Sequence, residues 1–186
     1  RSTYDRFEIA TVKNTQHNVL IIGAGLAGLY AALSLAPRNV TVLSPKPLGY
    51  GASSAWAQGG VAAAMDEHDT PEAHATDTVN AGDGIVDADI AAFVTSAAKE
   101  HVLELAEVGT PFDRTKDGGF IMSKEAAHSY ARVVRVKGDQ AGAEIMKALI
   151  QEVAETPSIT VLEGATALEL LVENNMMQGV VVSEDN

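Results

Sequence analysis

Cysteine is absent from all 186 residues. That removes disulfides, thiolate zinc sites, iron–sulfur ligation and cysteine nucleophiles from this chain. It is compatible with a cytoplasmic location, which is the expectation here. Positive charge is scarce. Lys and Arg number 13 against 25 Asp and Glu, for a formal net charge of -12. Nucleic acids and anionic membranes are polyanions, so neither is expected as a partner. No apolar run approaches the ~20 residues that cross a bilayer, and Arg1 to Gln16 lacks the apolar stretch of a signal peptide. Internal repeats and low-complexity tracts are missing as well. His68 and His74 have no spacing to other ligands that suggests a metal, so no metal site is expected and both read as solvated. What the chain does have is 46% hydrophobic residues and a length sufficient for one domain with a core.

The most informative stretch is Asn18 to Ala36, NVLIIGAGLAGLYAALSLA. Val19 to Ile22 form a continuous apolar run, the pattern of a strand covered on both faces. Gly23, Gly25 and Gly28 follow as G-x-G-x-x-G, each with its own task. The first permits a tight turn, the second lets backbone approach a pyrophosphate, and the third lets the helix pack closely on the strand. Leu26, Leu29, Leu33 and Ala36 then recur at helical spacing until Pro37. The helix aims its free N–H groups and positive dipole end at the phosphates. Gly23, Ala24, Gly25, Leu26, Ala27 and Gly28 are therefore cofactor-binding candidates. Val40 to Leu43 is the second strand. In a nicotinamide site an acid at its tip would bind the ribose; here Ser44, Pro45 and Lys46 stand there. Ser44 and Lys46 are candidates for a ribose or pyrophosphate contact, and Lys46 reads equally as a loop lysine.

Residues 1–17 read as a polar lead-in, with His17 solvated. Leu48 to Ala64 is dense in Gly, Ala and Ser around Trp56 and Gln58, the composition of a ligand-wrapping loop. Thr70, Pro71 and Glu72 start a helix to about Asn80. Ala88 to Val108 is a core-packing helix with Ile90, Phe93, Val94, Ala97, His101, Leu105 and Val108 on its apolar stripe; His101 reads as a hydrogen-bonded buried edge. Glu125 and His128 lie three residues apart with Lys124 and Arg132 nearby, a cluster able to recognise a charged amino acid or to form a plain ion-pair segment. Asp139 starts a helix to about Glu155. Ile159 to Leu162 is a third core strand. Ala165 to Val172 and Gln178 to Ser183 flank Asn174 to Met177 as a hairpin.

GAGLAGL at Gly23 to Leu29 and SSAWAQGGVAA at Ser53 to Ala63 resemble the flavoprotein family of succinate dehydrogenase, fumarate reductase and L-aspartate oxidase. The resemblance implies an α/β, Rossmann-like FAD-binding domain with a parallel sheet and an antiparallel hairpin or meander near the C-terminal end. Residues 18–186 would be its N-terminal part, truncated before the second FAD half-site and the capping domain. The fragment alone would then be inactive. Ser53, Ser54, Ala55, Trp56, Ala57, Gln58, Gly59 and Gly60 would run along the FAD. Membrane-complex members carry a flavin-linking histidine seven positions before the last of these glycines; Ser53 stands there, which implies non-covalent FAD. Backbone at Ala165 would meet the adenine.

Lys124-Glu125-Ala126-Ala127-His128-Ser129 is similar to the Arg/Lys-Glu-x-x-His-Ser signature of the L-aspartate oxidase branch, though Tyr130-Ala131 departs from its arginine-rich continuation. By that pattern Glu125 orients the substrate ammonium, and His128 is a further catalytic candidate. The implied reaction is oxidation of L-aspartate to iminoaspartate with oxygen or fumarate as acceptor, the first step of de novo NAD biosynthesis. Quinolinate synthase is then a candidate partner. The alternatives are a soluble fumarate reductase-type flavoprotein and a non-catalytic nucleotide-binding fragment.

Overall fold

The computed structural model describes residues 8–13 and 19–184, and these form two compact units. The first comprises the segments up to Ala55 and from Leu149 onward; the second is Trp56–Ala148.

In the first unit, β2 (Val19–Ile22), α1 (Leu26–Ser34) and β3 (Val40–Ser44) make the expected β-α-β, and β7 (Ile159–Glu163) joins them. The parallel order is β2-β3-β7, with Ile21 opposite Val42 and Val42 opposite Val161. Central β3 is the buried strand: Val40, Val42 and Leu43 are almost wholly covered. Among the described residues β2 pairs in this sheet with β3 alone and is only half-buried, with Ile22 51% exposed. The apolar run at 19–22, whose pattern is that of a strand covered on both faces, is half-buried among the described residues.

A second sheet has the order β1-β9-β8, from β1 (Glu8–Lys13), β9 (Met176–Glu184) and β8 (Ala165–Glu173), all antiparallel. Within the expected polar lead-in, Glu8–Lys13 forms a strand along β9. Backbone pairing supplies what its short sequence pattern did not reveal. His17 lies outside the described residues. Asn174 and Asn175, with φ of 50° and 60°, make the two-residue hairpin turn between β8 and β9, the left-handed pair that Asn tolerates. Met176 and Met177 belong to the strand rather than to the loop. Leu43, Ala165, Val180 and Val182 form the buried cluster of this unit, with Leu20, Leu162 and Ala167 against it.

The second unit holds a small sheet, β4-β6-β5, from β4 (Gly60–Ala62), β5 (Met122–Ser123) and β6 (Val133–Arg135). It also holds α2 (Pro71–Ala81) and α3 (Ala88–Glu107), which pack on each other. Thr70 caps α2 by accepting from Ala73 N at 3.1 Å, and Asp87 caps α3. The face of α3 differs from the expected stripe. Ala91, Thr95, Val102 and Leu105 are buried, while Ile90, Phe93 and Val94 are exposed. α3 is apolar on more than one side, so periodicity alone did not say which side meets α2. His101 is likewise exposed, bonded to Glu104 at 3.0 Å rather than buried. α4 (Ala141–Glu155) runs on from this unit into the first, with Ala141, Ile145, Leu149 and Val153 buried as expected and Met146 buried beside them. Among the described residues no helix is long and apolar enough to cross a membrane.

Candidate functional site

The glycine turn lies wholly in the first unit. Gly23 takes φ of 109°, a left-handed value that favours glycine, and its N–H donates to Leu43 O at 3.0 Å. The chain thereby passes from β2 into the turn while still tied to β3. Gly25 is the N-cap of α1, in extended conformation and without a side-chain cap. The first intrahelical bond is Leu29 N to Gly25 O, so the N–H groups of Leu26, Ala27 and Gly28 precede it. Ser54 Oγ accepts from Leu26 N at 3.2 Å. No acid occupies the first turn of α1. An anion would meet no repulsion there, and the helix dipole favours it.

Each glycine can be weighed by the Cβ it lacks. On Gly28 a Cβ would sit 1.9 Å from Gly23 O and 3.3 Å from Ile21 Cγ2. On Gly25 it would meet Ser54 Oγ at 3.3 Å. The third glycine therefore closes helix on strand, and the second keeps the approach to the helix end narrow but open. This cradle fits a dinucleotide pyrophosphate. Gly59 (φ of 81°) has open space, whereas a Cβ on Gly60 would sit 2.1 Å from Val134 O. Strand packing of β4 on β6 is thus a sufficient reason for glycine at 60, whatever the ligand.

Ser44 is buried, and its hydroxyl donates to the carbonyl of Lys46. A ribose would find only its acceptor lone pairs. Glu163, in register with Ser44 on the neighbouring strand, accepts from Leu48 N at 2.6 Å and ties down the loop after β3. Sequence reasoning missed it, because the parallel pairing of β3 with β7 is what brings it there. Ala165 is buried in the core cluster, so its backbone is what it can offer. Ala55 N donates to Ala52 O within the Ser53–Trp56 turn of 3-10 helix, and Trp56 is 82% exposed. In the second unit Ala57 O accepts from Gly142 N, which anchors the segment leading to Gln58.

The Glu125–Ser129 turn lies wholly in the second unit. His128 N donates to Glu125 O at 3.0 Å and closes it. Glu125 is exposed; its carboxylate accepts from Ser123 Oγ at 2.9 Å. Beneath stands a group whose role differs from the expectation. Arg132 is fully buried. Its Nε and Nη2 donate to the two oxygens of Asp69 at 2.8 Å each, and its Nη1 donates to Asp77 Oδ2 at 2.7 Å. Asp77 also accepts from Ser129 N and Ser129 Oγ, both at 2.6 Å. Arg132 is therefore no free cation for a substrate; it is the centre of a buried ion-pair network. His74 is corrected too. It is buried, its ring centroid 5.5 Å from that of His128, and its Nδ1 has no hydrogen-bond partner among the described residues. His68 is exposed as expected. Among the described residues no group of three side chains could hold a metal ion.

These contacts shift ionisation. The two bonds from Ser129, then Arg132, hold the Asp77 carboxyl down at about 2 from an ordinary 3.8. Burial, and then the charges of Arg132 and His128, push His74 below its ordinary 6.5. Both folded-state values are depressed, so the unfolded chain binds more protons and both groups lose stability on acidification. Asp77 contributes fully above pH 3.8 and loses this as pH falls toward about 2. His74 begins to destabilise as pH falls below 6.5. Urea unfolding across pH should show His74→Leu flattening the decline just below 6.5, and Asp77→Asn removing only the more acidic limb.

A family model described as an FAD binding domain matches residues 18–186. L-aspartate oxidase of Caulobacter vibrioides is 51% identical over 170 residues, covering 89% of this chain and 33% of that protein. L-aspartate oxidase of Mesorhizobium japonicum is 47% identical over 87% of this chain and 32% of its own length. The chain thus spans about a third of the length of the curated relatives it matches. Among solved structures, Mycobacterium smegmatis Sdh1 superposes with a TM-score of 0.82 at 30% identity, over 88% of this chain and 30% of that one. An E. coli quinol fumarate reductase FrdA variant gives 0.83 at 26% identity, over 92% and 30%.

Proposed function

Since this chain belongs to the FAD binding domain family over residues 18–186, we propose that it is the FAD-cradling part of an L-aspartate oxidase. The cofactor of the family is FAD. When bound, FAD would supply the acceptor for the hydride leaving the α-carbon of L-aspartate. The chain's own residues bind and orient. In this reading the first-turn N–H groups at Leu26, Ala27 and Gly28 hold the pyrophosphate. Ser53 to Gly60 runs along the cofactor, which is held without a covalent bond because Ser53 offers no imidazole. Lys46 and backbone at Ala165 complete the nucleotide contacts. Iminoaspartate, oxygen or fumarate as acceptor, entry into NAD biosynthesis and hand-over to quinolinate synthase belong to the same reading.

The observation that carries substrate choice is Glu125. Its carboxylate is exposed, anchored by Ser123 alone among the bonds described, and carried on a turn that Asp77 pins. An exposed, fixed carboxylate suits an ammonium. Fumarate has none, and that is the basis of the test. In the full-length protein with FAD, L-aspartate should bleach the flavin band under anaerobic conditions and succinate should not. Glu125→Gln should lower kcat/KM for L-aspartate about ten- to a hundredfold, the range of one hydrogen bond to a charged group, and leave fumarate reduction much less affected. Equal losses would remove the orienting role. Reduction by succinate and not by L-aspartate would favour the fumarate reductase reading, to which the FrdA superposition gives some weight.

A further inference from the structure

The buried network beneath the Glu125–Ser129 turn does more than fill space. Arg132 Nη1 lies 3.2 Å from His128 Nδ1. A guanidinium has donors only, so Nδ1 must accept, and the neutral ring then carries its proton on Nε2. The guanidinium cannot rotate away, because Asp69 holds it through two bonds and Asp77 through a third. Asp77 in turn grips the residue after His128 through both its N–H and its hydroxyl. Backbone bonds fix the same segment: Arg132 N donates to Ser123 O, and Arg132 O accepts from Ala63 N. Ring orientation, tautomer and backbone of His128 are all set by groups that are themselves held.

We propose that Arg132 and Asp77 are positioning residues that present His128 as an Nε2–H hydrogen-bond donor to an anionic acceptor, a carboxylate of the substrate, and bar it from taking a proton at Nδ1. The proposal rests on the reading of a dicarboxylic amino-acid substrate. It divides the turn between two charges: Glu125 for the ammonium and His128 for a carboxylate. A ring locked as a donor serves binding in ground and transition states alike, so its loss raises KM more than it lowers kcat.

Two measurements on the full-length, FAD-loaded protein test this. The first is nitrogen NMR of labelled histidine. His128 should show Nδ1 without a proton and Nε2 with one, and removing the guanidinium in the Arg132→Met, Asp69→Asn double variant should mix the two tautomers. A protonated Nδ1 in the wild type, or an unchanged tautomer in the Arg132→Met, Asp69→Asn double variant, overturns the clamp. This readout stands whether or not L-aspartate is oxidised, so a failure of the functional reading is seen separately. The second is kinetic. His128→Ala should raise KM for L-aspartate about ten- to a hundredfold with kcat much less changed. His128→Gln keeps an N–H donor and has no basicity near neutral pH, so it should recover most of that loss. If Gln is as defective as Ala and the loss falls on kcat, His128 is a proton acceptor and the proposal fails.

Discussion

Replacing Gly28 by alanine is expected to abolish FAD binding and to destabilise the first unit by about 3 kcal/mol, the upper end for overpacking a closed contact. The added methyl would lie 1.9 Å from Gly23 O, and that oxygen is backbone, not the movable end of a side chain. α1 would have to lift from β2, carrying its first-turn N–H groups away from the phosphate position. Gly25→Ala makes a milder contact, 3.3 Å from Ser54 Oγ. It should retain the fold while weakening FAD binding; Gly25→Val, whose branches project further into the phosphate approach, should abolish it. Thermal unfolding and FAD titration in parallel separate the cases. A folded Gly28→Ala protein with normal FAD affinity would mean that the turn is not the cradle.

Arg132→Met is expected to cost about 3–5 kcal/mol, the penalty for breaking a buried ion pair by removing one partner. The carboxylate left in the worse position is Asp69. Its side chain is fully buried, and besides Arg132 the bond described for it comes from Thr70 N. Asp77 keeps both bonds from Ser129. Adding Asp69→Asn to Arg132→Met should therefore recover a substantial part of the loss, because the stranded charge is gone. Adding Asp77→Asn should recover little. Urea unfolding of the single and double variants measures this. Equal recovery by both second changes would mean that the two carboxylates share the burden evenly, against the geometry.

Much of the first unit is legible in sequence because its determinants are local. Strand, glycine turn and helix follow one another without a break, and each glycine is required by backbone within a few residues: Gly23 by its own φ, Gly28 by Gly23 O. The caps at Thr70 and Asp87 are legible for the same reason. Where a residue's fate depends on a distant partner, the pattern misleads. His74 looks like a solvated histidine in a polar helix, yet it is buried near Arg132 and His128, residues far along the chain. Arg132 looks like a cation beside a binding turn. Its carboxylates stand 63 and 55 positions away, and no spacing rule connects them. The exposed Ile90, Phe93 and Val94 show the same limit: a helical period identifies faces and not which one is covered.

The sequence by itself determined that a strand, a G-x-G-x-x-G turn and a helix follow one another, that position 53 has no imidazole, and that a Glu and a His share one short turn. Those are properties of contiguous residues, and contiguity is what a sequence displays. Only the tertiary structure decided that Glu8–Lys13 is a strand, that Glu163 ties down the loop after β3, and that Arg132, held by Asp69 and Asp77, lies beside His128 Nδ1. The physical reason is the same in each case. Strand pairing and buried charge pairing are satisfied by whichever groups the fold brings together, and the cost of leaving such groups unpaired selects those partners regardless of their separation along the chain.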